Sequence, residues 1–565
     1  MRLLRKPLNP GGHPPTMITC RISPRVPGGR KAGGRRVPGG RGRRMPLYEI
    51  LPKAVRLYPE KEAVVCGETR MSYRTFAGRV FRLCRAFAAL GAGPGDRIAI
   101  LHQNCHCFLE AYFAAAHLGA VLVPLNVRLS AGELASILTE CEPVILLAQW
   151  DFKDQGREAV RGARGIRHTV WTGAQVRPEG ASEHSYEALL ARQVDGEPPD
   201  PPVGDEDVAQ LYYTSGTTGR AKGVMLTHKN VKTHALGTIA ELRLSDRDHW
   251  YHVAPLFHLA DAWATFAITW AGGKHVIQPV FDAGQVLEGI EREAITLTNL
   301  IPTMLNMMVN HPEVSSHDYS SLRVLLSGGA PIAPEVVRKI IETFGCDYVQ
   351  TYGMTETSPY LTLSILKAHL EDRPDEERLG FKASTGREFI NVALKVVDEE
   401  GREVARNNRD VGEIIVRGDT VTPGYWNLPE ETAKAIRGGW LYTGDLAVMD
   451  EERYVTIVDR KKDMIITGGE NVYSTEVENV LYEHPEVLEA AVIGVPDPHW
   501  GEAVKACVVV KEGRRLTEEA LIAFCKERLA RYKAPKSVEF LDRLPRTGSG
   551  KIYKKGLRET YRNEG

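Results

Sequence analysis

Between Thr214 and Gly223 the chain sets four small hydroxyl residues (Thr214, Ser215, Thr217, Thr218) and three glycines (Gly216, Gly219, Gly223) around one lysine, Lys222. Glycines let backbone N–H groups close on an anion, hydroxyls add donors, and the lysine adds charge, so the stretch reads as a phosphate cradle. A flexible Gly/Thr loop is the plainer reading, but it does not account for the lysine or the flanking apolar residues. The G-x-x-x-x-G-K-[ST] spacing of a Walker loop is not met, because Ala221 stands where the second glycine would be. That disfavours a kinase or a P-loop ATPase. Four other sites carry chemical groups but have ordinary readings when taken alone. Asp445 suits a turn or a cap. His258 suits a satisfied core histidine, the run Asp459-Arg-Lys-Lys-Asp463 a solvated linker, and Pro545-Arg-Thr-Gly-Ser-Gly-Lys551 a solvated basic loop.

The elements that must hold these groups follow from periodicity. Tyr73 to Leu90 has helical spacing of apolar residues, and Arg97 to Leu101 reads as a strand after the Gly95-Asp96 turn. Strand-like runs recur at Val144–Ala148, Val253, Leu297–Leu300 and Val324–Leu326, and their alternation with helices predicts α/β layers on a largely parallel sheet. Residues 172–206, rich in Pro, Gly and charge, read as a surface excursion. From Val392 to Val458 strands and turns predict a β-rich subdomain. Beyond 459–463 a helix (Ser474 to Tyr482), two strands (Ala490–Ile493, Ala506–Val510) and a helix (Thr517 to Leu529) fit an α+β unit of about 100 residues. The expected fold is therefore α/β: a large N-terminal domain of layered, mostly parallel sheets with a β-rich subdomain, and a small mobile α+β C-terminal domain.

Bulk properties narrow the function. At 565 residues more than one compact core is expected. The formal charge is balanced, yet residues 1–44 hold twelve Lys/Arg and no acid, leaving sixty basic against seventy-two acidic residues in the body. A mildly acidic body argues against nucleic acid as a partner. The Gly-, Pro- and Arg-rich stretch 1–44 reads as a disordered tail, translated from an upstream start, with Met45 opening the fold. The nine cysteines lack zinc-type pairing and read as buried or half-buried thiols of a reducing cytosol. The most apolar stretch, Phe108 to Leu125, is interrupted by Glu110 and His117 and split at Gly119, so no transmembrane span is expected. A cytoplasmic location, with peripheral membrane contact and a homodimer as options, completes that expectation.

The string Thr214-Ser-Gly-Thr-Thr-Gly-x-x-Lys-Gly223 resembles the phosphate loop of the adenylate-forming superfamily, which includes acyl-CoA synthetases, luciferases and peptide-synthetase adenylation domains. The other motifs follow in order, and the resemblance covers Leu47 to Lys551. Its implied domains are 45–460, binding AMP, and 461–565, the C-terminal AMP-binding-enzyme domain. In Gln350-Thr-Tyr-Gly-Met-Thr-Glu-Thr-Ser-Pro359 the resemblance implies that Tyr352 stacks on adenine beside Gly353. There Thr355 bonds the α-phosphate, and Glu356, with Thr214, holds Mg²⁺, a cation that prefers hard oxygen. Gly328, Gly329, Ala330 and Pro331 fall in the loop at the adenine edge. Asp445, in Trp440-Leu-Tyr-Thr-Gly-Asp445, matches the ribose-binding aspartate. Arg460 would contact ribose or phosphate, Lys462 falls at the hinge, and Gly468 and Gly469 would line the pantetheine tunnel of coenzyme A. His258 would border the acid, and Lys551 would be the adenylation lysine.

The implied activity uses ATP, Mg²⁺ and coenzyme A: a carboxylic acid becomes an acyl-adenylate and then a thioester. The segment from Leu366 to Arg387 is similar to medium- and long-chain fatty-acid–CoA ligases, so a fatty acid is the expected substrate, with an alicyclic or aromatic acid as alternative. Trp263, Thr303, Met304, Met307 and Gly328 are the expected acyl-pocket residues, with plain core as the other reading of the apolar ones. A stand-alone ligase loading a carrier protein stays open. An amino-acid-activating domain would adjoin a carrier domain, for which the residues after Lys551 leave no room, and Asp261 is its sole apparent ammonium anchor.

Overall fold

A computed structural model describes residues 45–214, 221–330, 332, 334–546 and 552–561. The expected helix from Tyr73 is found as Tyr73–Ala89. The Ser72 side chain accepts from the Thr75 backbone N–H, and Tyr73, Phe76, Ala77, Val80 and Phe81 bury one face. Gly119 stops the next helix, His106–Leu118, at φ +72, where a Cβ would press into Val203. The run that resembled a membrane segment is thus a buried helix followed by the buried strand Val121–Leu125. Among the described residues no helix is long and apolar enough to cross a membrane.

Two large sheets carry the site. In the seven-stranded sheet the order is Glu183–Ser185, His168–Thr172, Ile145–Gln149, Arg97–Leu101, Val121–Leu125, Val208–Thr214, Lys222–Thr227, parallel except for the last pair. Strands buried on both faces explain the unbroken Val/Ile/Leu runs. The fourteen-stranded sheet has a parallel block, Glu62–Cys66, Lys274–Ile277, His249–His252, Leu297–Leu300, Val324–Gly328 and Asp347–Gly353. It turns antiparallel at Tyr360–Leu363 and runs on through Gly386–Glu388 and Tyr454–Arg460 into Trp440–Met449, Gly412–Gly418 and Val392–Val397. The β-rich region is therefore hydrogen-bonded to the main sheet.

The strands Ile465–Thr467, Glu470–Val472, Val487–Asp497, Gly501–Val510 and Ser537–Phe540 form a separate sheet. The helices Ser474–Tyr482 and Glu518–Arg528 close its own core around Val477, Leu481, Val492, Val504, Val508 and Leu521. One expectation needs correction. Residues 172–206 are more than a surface excursion, because Glu183–Ser185 joins the seven-stranded sheet and the helix Tyr186–Ala191 buries Tyr186, Leu189 and Leu190. Tyr186 donates to the fully buried carboxylate of Glu110, which Arg79 also holds at 2.7 Å. A six-residue helix among Pro, Gly and charge leaves too short a periodic trace to read.

Candidate active site

The hairpin of Val208–Thr214 and Lys222–Thr227 sets Thr214 directly opposite Lys222, and the Thr214 hydroxyl lies 3.5 Å from the Lys222 carbonyl. Ser215, Gly216, Thr217, Thr218 and Gly219, which join the two strands, lie outside the described residues. The Lys222 ammonium is 2.6 Å from Glu431 and 5.2 Å above the Tyr425 ring.

Facing the hairpin, Asp347–Gly353 runs into the short turn Thr355–Thr357. Gly353 is required there, since a Cβ would collide with the Pro359 carbonyl. Glu356 is buried, which pushes its carboxyl above the ordinary range, and Oε1 accepts from the Tyr425 hydroxyl at 2.8 Å. A buried carboxylate such as Glu356 fits Mg²⁺, a hard cation bound through oxygen. The Tyr352 hydroxyl donates to Asp445 Oδ2 at 2.7 Å, and Arg460 Nε lies 3.3 Å from Oδ1. Burial, with Asp445 beside it, raises the Tyr352 phenol further. Each Asp445 oxygen keeps a second lone pair for a diol. The Ala330 carbonyl is fixed by Gln350 Nε2 at 2.9 Å, Gly328 packs on Thr351, and Gly329 has φ +91. Pro331 lies outside the described residues.

His258 caps the short helix Leu259–Ala262, its Nδ1 accepting from Ala260 N–H at 3.4 Å. Asp261 in that helix is fully buried. Its oxygens are held by Trp250 Nε1 at 3.0 Å and His252 Nδ1 at 2.7 Å, and His252 reaches His275 at 2.9 Å. Trp263 is buried among aromatic rings: Trp250 at 4.8 Å, Tyr360 at 5.3 Å and His234 at 5.7 Å. Thr303 and Met304 are half-buried on Pro302–Val309. Met307 is 58% exposed, and Leu305, Met308 and Val309 take the core face of that helix.

Where the two units meet, Asp459 accepts from the Ser474 backbone N–H at 2.6 Å, and Lys554 bonds both Ser474 and Glu478 at 2.7 Å. Desolvation, with Arg460 nearby, lowers the Lys462 ammonium below its usual range. Gly468 and Gly469 form the positive-φ turn between Ile465–Thr467 and Glu470–Val472. A Cβ on Gly468 would come within 2.8 Å of Trp500. Lys551 lies outside the described residues. Tyr425 and Glu431 were missed from sequence; the available signal was an aromatic Tyr425-Trp426 turn followed by the acidic helix start Pro429-Glu430-Glu431.

Two family models match the chain. The profile described as AMP-binding enzyme matches residues 51–426, and that of the AMP-binding enzyme C-terminal domain matches 476–551. Feruloyl-CoA synthase of an Amycolatopsis species is 40% identical over 510 residues, spanning 90% of this chain and 98% of that one. Long-chain-fatty-acid–CoA ligase of Thermus thermophilus is 38% identical over 528 residues, spanning 92% and 96%. The crystal structure of ATP-bound MatB from Rhodopseudomonas palustris superposes with a TM-score of 0.81 at 31% identity, covering 92% of this chain and all of that one.

Proposed function

The chain belongs to the AMP-binding enzyme family and is an AMP-forming acid–thiol ligase acting with ATP and coenzyme A, and from that premise we propose that its acid carries an aromatic ring. The observation that carries this reading is the buried aromatic cluster of Trp263, Tyr360 and His234. Trp263 and Tyr360 follow His258 and Glu356 by five and four residues, and their rings stand 5.3 Å apart. An acid seated beside this cluster would gain edge-on and offset contacts that favour a flat aryl group over a flexible chain. The likeness to feruloyl-CoA synthase supports the same class.

In the first half-reaction an oxygen of the ionised acid attacks the α-phosphorus of ATP, the bond to the bridging oxygen breaks, and pyrophosphate leaves. In the second, the coenzyme A sulfur attacks the acyl carbon and AMP leaves with the electron pair. The proposed roles are these. Lys222, Thr214 and the loop 215–219 hold the phosphates, and Thr355 bonds the α-phosphate. Tyr352, with the 328–331 loop, frames adenine, and Asp445 and Arg460 hold ribose. His258 orients the acid, which is already ionised at neutral pH. Lys551 neutralises charge growing at the α-phosphate, as electrostatic catalysis of phosphoryl-type transfer requires. Glu356 and Thr214 would hold Mg²⁺, which supplies charge neutralisation on the phosphate oxygens when bound. Rotation about Lys462 would then exchange Lys551 for the Gly468-Gly469 turn and keep water from the adenylate.

A second reading, a medium- or long-chain fatty acid, draws on the identity to the Thermus ligase. An α-amino acid fits worse, because both oxygens of Asp261 are buried and engaged. Coenzyme-A-dependent AMP release from ferulate, indole-3-acetate and dodecanoate separates the readings. The aryl acids should exceed dodecanoate in kcat/KM by about tenfold or more; the reverse order would establish the fatty acid instead.

A further inference from the structure

The segment 419–426 bridges two parts of the ATP site that are far apart in the chain. Asn230 Nδ2 donates to the Asp419 and Val421 carbonyls at 2.8 and 3.0 Å. The Met225 N–H donates to the Gly424 carbonyl at 3.1 Å, and Trp426 N–H to that of Gly223 at 2.7 Å. On the other side Thr422 N–H donates to the Glu356 carbonyl at 2.8 Å, and Ser358 Oγ to that of Thr420 at 2.7 Å. The bridge is thus tied to the hairpin strand Lys222–Thr227 and to the turn Thr355–Thr357. Tyr425 is the residue of the bridge that reaches both functional side chains: its hydroxyl meets Glu356 Oε1 at 2.8 Å, and its ring lies 5.2 Å beneath the Lys222 ammonium.

We propose that Tyr425 is a positioning residue of the adenylation half-reaction, fixing the metal-binding carboxylate with its hydroxyl and the phosphate lysine with its ring. The inference rests on the reading of Glu356 as a metal ligand and Lys222 as a phosphate ligand. A carboxylate can rotate about its last bond. One charge-neutral donor on Oε1 limits that rotation and leaves Oε2 to a hard cation, as outer-shell donors do at metal sites. The ring face adds attraction for the lysine without adding a second anion to the one it already meets at Glu431.

The test uses the full chain and Mn²⁺ as the metal probe, free Mn²⁺ being followed by its paramagnetic resonance signal while the protein is titrated in saturating ATP. Tyr425→Phe, which keeps the ring, should weaken Mn²⁺ binding by about tenfold or more, with metal-free ATP binding near wild type. Tyr425→His, which restores a donor, should recover part of the loss and gives a second folded variant should the first be unstable. Mn²⁺ affinity in Tyr425→Phe equal to wild type overturns the proposal. Glu356→Gln is measured alongside. If it weakens Mn²⁺ while Tyr425→Phe does not, the proposal alone fails; if neither does, the reading of Glu356 fails with it.

Discussion

The ammonium of Lys222 lies 2.6 Å from Glu431 Oε2, although 209 residues separate them in the chain. The pairing with Lys222, reinforced by Lys434, holds the Glu431 carboxyl down to about 2. On the proposed role of Lys222 as a phosphate ligand, Glu431 is a competitor of the ATP phosphates for its ammonium.

Neutralising that competitor has a measurable consequence. Glu431→Gln should lower the KM for ATP by about two- to fivefold, the scale of a partly exposed ion pair. The difference should shrink as salt is raised. A KM that rises would show that Glu431 helps to hold the nucleotide rather than competing with it.

Glu356 makes an opposite pair of predictions for stability and activity. Burial raises its folded-state pKa, so relative to the unfolded chain the folded protein favours the protonated acid and holds the ionised form at a cost at neutral pH. Without metal, Glu356→Gln should therefore melt higher than wild type at pH 7.5. The gap should close as pH falls through the raised folded pKa toward the ordinary value of 4.5. The same variant should lose acid-dependent pyrophosphate exchange by about 100-fold. A lower melting temperature at pH 7.5 contradicts the argument.

Buried histidines set an acid limit, His102, His228 and His234 among them. Desolvation lowers His102 and His228 from 6.5 to about 4 and His234 to about 3. Below 6.5 the unfolded chain takes up these protons while the folded chain does not, so stability falls with pH until the folded pKa is reached. Each histidine costs about 1.4 kcal/mol per pH unit in that window. Urea unfolding between pH 7.5 and 4.5 should show a shallower fall for His234→Phe than for wild type; equal slopes would remove His234 from the account.

The role proposed for Lys551 separates the two half-reactions. Lys551→Ala should lose about 100-fold in pyrophosphate exchange, while thioester formation from supplied feruloyl adenylate and coenzyme A falls far less. Wild-type exchange in this variant would refute its role.

By itself the sequence determined everything that is local. The hairpin that displays Thr214 and Lys222, the Ser72 cap, the stop at Gly119 and the buried strands arise from residue type and spacing over a few positions. Motifs of glycine, hydroxyl and lysine are legible for the same reason: their chemistry and their backbone requirement sit in one stretch. Only the tertiary structure decided which distant groups share the site. It brought Tyr425 to Glu356, 69 residues away, and Glu431 to Lys222, and it buried Asp261 against Trp250 and His252. It also turned Met307 to solvent. These outcomes depend on which strands pair and which helix face meets the sheet. Such contacts join residues from nine to 209 positions apart and leave no periodic trace in either segment.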